Sequence, residues 1–170
     1  MNKESYKKRL TKISALVFDV DGVMTNGKVL ITSKGEMYRE MDTKDGYALR
    51  CAIFEKYKIG IISGGKNEGV RLRLKDLGVK SIFLGQTEKE SSFEEFRSKY
   101  KLENEEILYM GDDIPDLSIM KKVGVSTCPN DAVSDVKVIS DYVSHKKGGE
   151  GCVRDIIEQV LRVQGKWKTK

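Results

Sequence analysis

Two carboxylates spaced two residues apart close an apolar run, in Val17-Phe18-Asp19-Val20-Asp21-Gly22, and no other feature narrows the possible folds of this chain as far. The run reads as a buried strand. Side chains of a strand alternate between its faces, so Asp19 and Asp21 leave the strand on the same side. Two like charges that close raise each other's pKa unless a cation compensates, and a purely structural strand has little reason to end that way. A hard divalent ion such as Mg2+ removes the conflict. On these residues alone, a polar strand exit followed by a glycine turn is an equal alternative.

A second acidic cluster, Gly111-Asp112-Asp113-Ile114-Pro115-Asp116, follows the apolar run Ile107-Leu108-Tyr109-Met110. In an open parallel sheet, ligands sit at the carboxyl ends of the strands near the point where strand order reverses, so two such exits can converge on one ion. The same Gly-Asp-Asp is ordinary turn chemistry and can cap a helix beginning near Pro115. Between the clusters, Ile59-Gly60-Ile61-Ile62 leaves through Ser63-Gly64-Gly65. There a hydroxyl and backbone NH groups can meet a phosphate at a helix entrance. Lys89 follows a fourth strand exit, Ile82-Phe83-Leu84, where an ammonium can offset phosphate and carboxylate charge.

Asp19-x-Asp21-Gly22, Ser63-Gly64, Lys89 and Gly111-Asp112-Asp113-x-x-Asp116 resemble, in order and spacing, the four motifs of the haloacid dehalogenase-like phosphohydrolases. The stretches DVDGVMTNGKV, DTKDGYALRCA, GDDIPD and HKKGGEGCVRDIIEQVLRVQGKW are more narrowly similar to the 3-deoxy-D-manno-octulosonate 8-phosphate phosphatases of that superfamily. The similarity runs from about Ser14 to Trp167. It implies Mg2+-dependent hydrolysis of a phosphorylated sugar acid in lipopolysaccharide sugar biosynthesis, through an aspartyl phosphate. By this resemblance Asp19 is the nucleophile and Asp21 the general acid and base. Mg2+ is held by the carboxylates of Asp19 and Asp112 and the backbone carbonyl of Asp21, while Ser63, Gly64 and Lys89 bind phosphate. Asp113 and Asp116 orient the shell or Lys89. Relatives often carry Arg or Glu after the Ser/Thr-Gly of the second motif, where this chain has Gly65. Gly65, Lys66 and Arg154 are candidates for the substrate rim. Two alternatives stand beside this reading: a phosphatase of nine-carbon, sialic-acid-type 9-phosphates, and a non-catalytic oligomerisation module. The joint presence of Asp19, Asp21, Lys89 and Asp112 argues against the second.

Alternating strand and helix patterns predict an α/β fold, a Rossmann-like three-layer sandwich with a mainly parallel sheet. Strands are expected to end near Asp19, Ser63, Leu84, Met110, Thr127 and Val143. Ala48/Ala52 and Leu49/Ile53 recur at helical spacing, and Val153, Ile156, Ile157, Val160 and Leu161 mark an amphipathic helix that with the tail spans about 151–170. With 170 residues and no linker or repeat, the chain reads as one domain. It is capless apart from a β-hairpin flap at about 27–41, where Val29–Thr32 and Glu36–Arg39 flank a Gly35 turn. Isolated two-stranded ribbons are marginally stable, and the family resemblance implies a homotetramer in which a neighbour's hairpin and tail close each site.

Composition restricts the remaining classes. The net charge of +5 lies largely in Lys7-Lys8-Arg9 and Lys166 to Lys170, and no aromatic-interleaved basic stripe accompanies it, so no nucleic-acid partner is expected. No apolar run approaches bilayer length, and the start lacks a secretory apolar segment, so a cytoplasmic protein with no membrane partner is expected. Cys51, Cys128 and Cys152 lack metal-ligand spacing and read as reduced, buried apolar residues. His145 is the only histidine, which argues against a histidine triad and His-rich zinc chemistry. The Gly-rich segment His145 to Gly151 reads either as part of the rim or as a flexible connection.

Overall fold

The structure, a computed structural model, describes residues 4–167. Its strands are β1 (Ala15–Phe18), β2 (Leu30–Ile31), β3 (Met37–Tyr38), β4 (Lys58–Ser63), β5 (Ser81–Leu84), β6 (Ile107–Met110), β7 (Val125–Cys128) and β8 (Tyr142–Val143). The helices are α1 (Tyr6–Arg9), α2 (Thr43–Phe54), α3 (Glu68–Asp76), α4 (Lys89–Tyr100), α5 (Leu117–Met120), α6 (Ser134–Ile139) and α7 (Cys152–Val163). The expected strand ends and the two expected helices are all present.

Six strands form one parallel sheet in the order β5-β4-β1-β6-β7-β8. The chain leaves β1 for β4 and β5 on one side, then crosses to β6 on the other, so strand order reverses at β1. In an open parallel sheet a ligand crevice forms at such a reversal, outside the carboxyl ends of the strands. The register sets Phe18 opposite both Ile61 and Met110, and the NH of Asp19 donates to Met110 O at 3.0 Å. The first residues past these strands therefore emerge side by side.

Period-two alternation decides which layer each strand residue supports. Leu16 and Phe18 of β1 join the core beneath α2, α3 and α7, whereas Ala15 and Val17 join the core with α4, α5 and α6. All four are buried, as expected of a strand covered on both faces. Side chains start the helices that follow two of the loops: Asp42 accepts from the NH of Lys44 at 2.7 Å to open α2, and Asn67 accepts from the NH of Val70 at 3.0 Å to open α3. Val153, Ile156, Ile157, Val160 and Leu161 are all buried, so the apolar stripe of α7 faces the core as its spacing predicted.

The hairpin is shorter than its sequence pattern: only Leu30 with Tyr38 and Ile31 with Met37 pair, antiparallel, around a turn with Gly35 at φ +78°. Its apolar side chains find no core of their own. Leu30 and Ile31 are 68% and 67% exposed.

Trp167 packs against the main core, meets Tyr47 edge-on at 6.4 Å, and lies under the guanidinium groups of Arg154 and Arg162. The tail doubles back because an aromatic ring gains both apolar contact and cation–π attraction there. Residues 168–170 of the expected tail lie outside the described residues. Against expectation Cys51 is only partly buried, at the margin of the main core; Cys128 and Cys152 are buried.

Candidate active site

A cleft of ≈ 430 Å3 opens at the carboxyl ends of β1, β4 and β6. Asp19, Asp21, Ser63, Gly64, Gly65, Lys89, Asp112, Asp113 and Asp116 all line it. Residues up to almost a hundred positions apart meet because each stands just past a strand end of one sheet or opens the helix that follows.

Asp19 is 6% exposed, with Oδ1 at 2.9 Å from Lys89 Nζ. The same ammonium lies 2.7 Å from Asp116 Oδ1. Asp116 is fully buried and serves four donors: Lys89 Nζ and the Tyr109 hydroxyl (2.6 Å) on Oδ1, and the NH groups of Asp112 (3.1 Å) and Asp113 (3.3 Å) on Oδ2. Both of its oxygens are committed to protein donors. Asp113 caps a 3-10 turn over Ile114–Asp116 by accepting from the NH of Ile114 at 2.8 Å. The turn chemistry and the site chemistry of this segment therefore coexist, although α5 begins only at Leu117.

Carboxylate oxygens of Asp19, Asp112 and Asp116 approach within 4.8 Å of one another, and Asp112 Oδ1 is buried with no hydrogen-bond donor among the described residues. Burial, then Asp19 and Asp116, push the Asp112 carboxyl up to about 8. Burial raises Asp19 as well, to about 6, partly offset by Lys89. Burial disfavours the Lys89 ammonium, but Asp19 and Asp116 outweigh it and its pKa ends above the ordinary lysine value. One ammonium does not neutralise three carboxylates. An all-oxygen donor set with an orphaned buried carboxylate oxygen fits a hard divalent cation. Gly22 makes this approach possible: at φ +93°, a Cβ there would fall 2.0 Å from Asp112 Oδ2.

Ser63 is 2% exposed and its Oγ accepts from the NH of Gly65 at 3.2 Å, which leaves the hydroxyl hydrogen for another acceptor. Asp21 is gripped by a residue that the sequence reading did not single out. Arg39, just past β3, donates from Nε to Oδ1 at 2.8 Å and from Nη2 to Oδ2 at 3.1 Å. Its only sequence signal was a cation at the base of the expected flap. Tyr109 was also missed, since a tyrosine inside an apolar strand reads as core.

Of the rim candidates, Gly65 lines the cleft and Lys66 is exposed, its stem crossing Gly85. Arg154 does not line it. Its guanidinium pairs with Glu158 at 2.6 Å and lies over Tyr47 and Trp167, because α7 turns this residue toward α2 and the tail. The segment before α7 instead supports the turn that follows β1: the NH of Gly149 donates to Val23 O at 2.9 Å. His145 is exposed, 3.6 Å from Asp155 Oδ2.

The fold and the site define a phosphohydrolase of the α/β class with an acidic, lysine-braced centre. A family profile described as haloacid dehalogenase-like hydrolase matches residues 76–156. The 3-deoxy-D-manno-octulosonate 8-phosphate phosphatase KdsC of Salmonella typhi is 36% identical over 154 residues, covering 91% of this chain and 82% of its own. The phosphatase of that name from Yersinia pestis superimposes with a TM-score of 0.94 at 31% identity, over 96% of this chain and 88% of its own. The Moraxella catarrhalis phosphatase, solved with magnesium ion, phosphate ion and KDO, gives 0.90 at 28% identity over 94% and 91%. The chain belongs to the haloacid dehalogenase-like hydrolases and, within them, to the 3-deoxy-D-manno-octulosonate 8-phosphate phosphatase family. It is a phosphoric monoester hydrolase. Among the described residues no helix is long and apolar enough to cross a membrane.

Proposed function

We propose that the whole chain acts as one Mg2+-dependent catalytic unit that hydrolyses 3-deoxy-D-manno-octulosonate 8-phosphate in the cytoplasm. The observation that carries this reading is the convergence of Asp19, Lys89 and the unpartnered Asp112 Oδ1 in one cleft. A carboxylate beside an ammonium and next to a cation-hungry oxygen suits attack on a phosphate dianion.

In the first step a carboxylate oxygen of Asp19 bonds to phosphorus while the bond to the sugar oxygen breaks, and Asp21 gives that oxygen its proton. In the second step water attacks phosphorus, its proton goes to Asp21, and the Asp19 carboxylate leaves. Ser63 Oγ, the Gly64 NH and Lys89 Nζ neutralise charge on the non-bridging oxygens. Asp19 and Asp112 carboxylates with the Asp21 carbonyl would hold Mg2+, which supplies further stabilisation of charge on the transferring group. Asp116, tied to Tyr109, keeps Lys89 aimed at Asp19.

The exposed Leu30 and Ile31 of the flap support a homotetramer in which flaps pack against neighbouring subunits. Gly65 in place of a charged residue keeps nine-carbon 9-phosphates as the competing substrates.

Phosphate release should be measured over eight- and nine-carbon keto-acid phosphates, with chelator and after Mg2+ is restored. The expected result is Mg2+-dependent turnover with the eight-carbon ester preferred. Full activity after rigorous metal removal, or a preference for the nine-carbon ester, rejects the corresponding part of the reading.

A further inference from the structure

Among the described residues, Arg39 is the one cation besides Lys89 that forms an ion pair with a carboxylate of the acidic centre, and it comes from the flap rather than from the sheet. Its side chain is 9% exposed although Met37 and Tyr38 before it are about half exposed. The flap's base is anchored to the body by this pair and by Asn67 Nδ2 donating to Met37 O at 2.7 Å. The guanidinium therefore enters the centre from a fixed origin at the flap's base.

The space it uses belongs to position 65. A Cβ at Gly65 would lie 3.0 Å from Asp21 Oδ2 and 3.5 Å from both Arg39 Nη2 and Ser63 Oγ. Any side chain there would press on the Asp21–Arg39 fork. Glycine at 65 thus leaves the second loop without a charged group of its own and admits one from the flap.

The fork presents a conflict with turnover. Arg39 occupies both carboxylate oxygens of Asp21, the group that must face the departing sugar oxygen. Lys89 cannot relieve it, since its ammonium already serves Asp19 and Asp116. A second carboxylate would relieve it, because guanidinium binds any carboxylate through the same two-point fork at similar strength. A sugar-acid phosphate carries that carboxylate at the end remote from phosphorus.

We infer that Arg39 is a specificity-determining residue that exchanges Asp21 for the carboxylate of the substrate, so that an acidic substrate frees its own general acid. The inference rests on the proposed sugar-acid phosphatase reading. It assigns to one flap residue both the recognition of the acid group and the discrimination against neutral sugar phosphates, which leave Asp21 held.

The test compares 3-deoxy-D-manno-octulosonate 8-phosphate with arabinose 5-phosphate, an alkyl ester that also needs leaving-group protonation but has no carboxylate. In Arg39→Gln the ratio of kcat/KM for acid over neutral ester is expected to fall at least tenfold, and free 3-deoxy-D-manno-octulosonate should inhibit more weakly. Arg39→Lys should retain part of the ratio. Gly65→Ala, which crowds the fork without removing the cation, should lower the ratio in the same direction and guards against a fold defect specific to position 39. A ratio that stays constant in Arg39→Gln, whether both esters decline together or neither does, overturns the inference while the substrate reading survives. A wild-type enzyme without preference for the acid ester rejects that reading, and this inference with it.

Discussion

Asp116 Oδ1 accepts from Lys89 Nζ at 2.7 Å at the bottom of the cleft, and the Tyr109 hydroxyl holds the same oxygen from the sheet side at 2.6 Å. Lys89 is therefore aimed rather than merely present. Asp116→Asn should lower kcat about 10–100-fold with the chain still folded, since loss of an orienting partner behind a functional group has effects of that order. Tyr109→Phe should cost less, because Asp116 would keep its other donors. Steady-state kinetics beside thermal melts decide; wild-type kcat in folded Asp116→Asn contradicts the aiming role.

Replacement of the nucleophile gives a sharper expectation. Asp19→Asn preserves shape but cannot form an acyl phosphate, so turnover should drop by at least ~10³-fold. Asp21→Asn should be severely impaired as well, and phosphoenzyme should accumulate there because the base for the second step is gone. Rapid acid quench with labelled phosphate would reveal it. Near-normal turnover by folded Asp19→Asn would exclude covalent catalysis at this residue.

The flap offers a test of assembly. Leu30→Asp with Ile31→Asp places charges on two side chains that are 68% and 67% exposed in the single chain, so the monomer fold should tolerate both. Sedimentation should then detect a smaller species than the tetramer expected of the wild type. If the double variant sediments as the wild type does, the flap is not an assembly surface. Deleting 165–170 probes something different, since Trp167 packs on its own core: a stability loss of about 1–3 kcal/mol is expected alongside any kinetic effect.

Asp45 makes stability depend on pH. It is 3% exposed; Oδ1 accepts from the NH of Arg154 at 2.7 Å, whereas Oδ2 is buried without a donor among the described residues. Burial pushes its carboxyl up to about 7, against the lowering effect of that NH. The folded chain keeps the proton to about pH 7 while the unfolded chain releases it near pH 4. Stability from this group is thus full below about pH 4, declines as pH rises through that window, and is flat above it. Asp45→Asn lacks the decline, so relative to wild type it should gain up to about 4 kcal/mol between pH 4 and pH 8. Denaturant melts at the two pH values measure this, and an unchanged difference would show that Asp45 is ionised in the folded chain.

The sequence alone determined the sheet, the strand exits and the set of polar residues gathered at them. Strand ends are local events, written in apolar runs that stop at Asp19, Ser63 and Gly111, and parallel topology brings any such exits to one edge. The stripe of α7 was equally legible, because helical period is a short-range property. Tertiary structure alone decided the partners. Arg39 lies 18 positions from Asp21, Tyr109 looks like core until Asp116 folds under it, and Arg154 and Trp167 are drawn to each other by an α2–α7 face that no local pattern describes. Periodicity fixes which way a side chain points along its own element. Which charge it then meets depends on the packing of elements distant in sequence, and that geometry exists only once the core has formed.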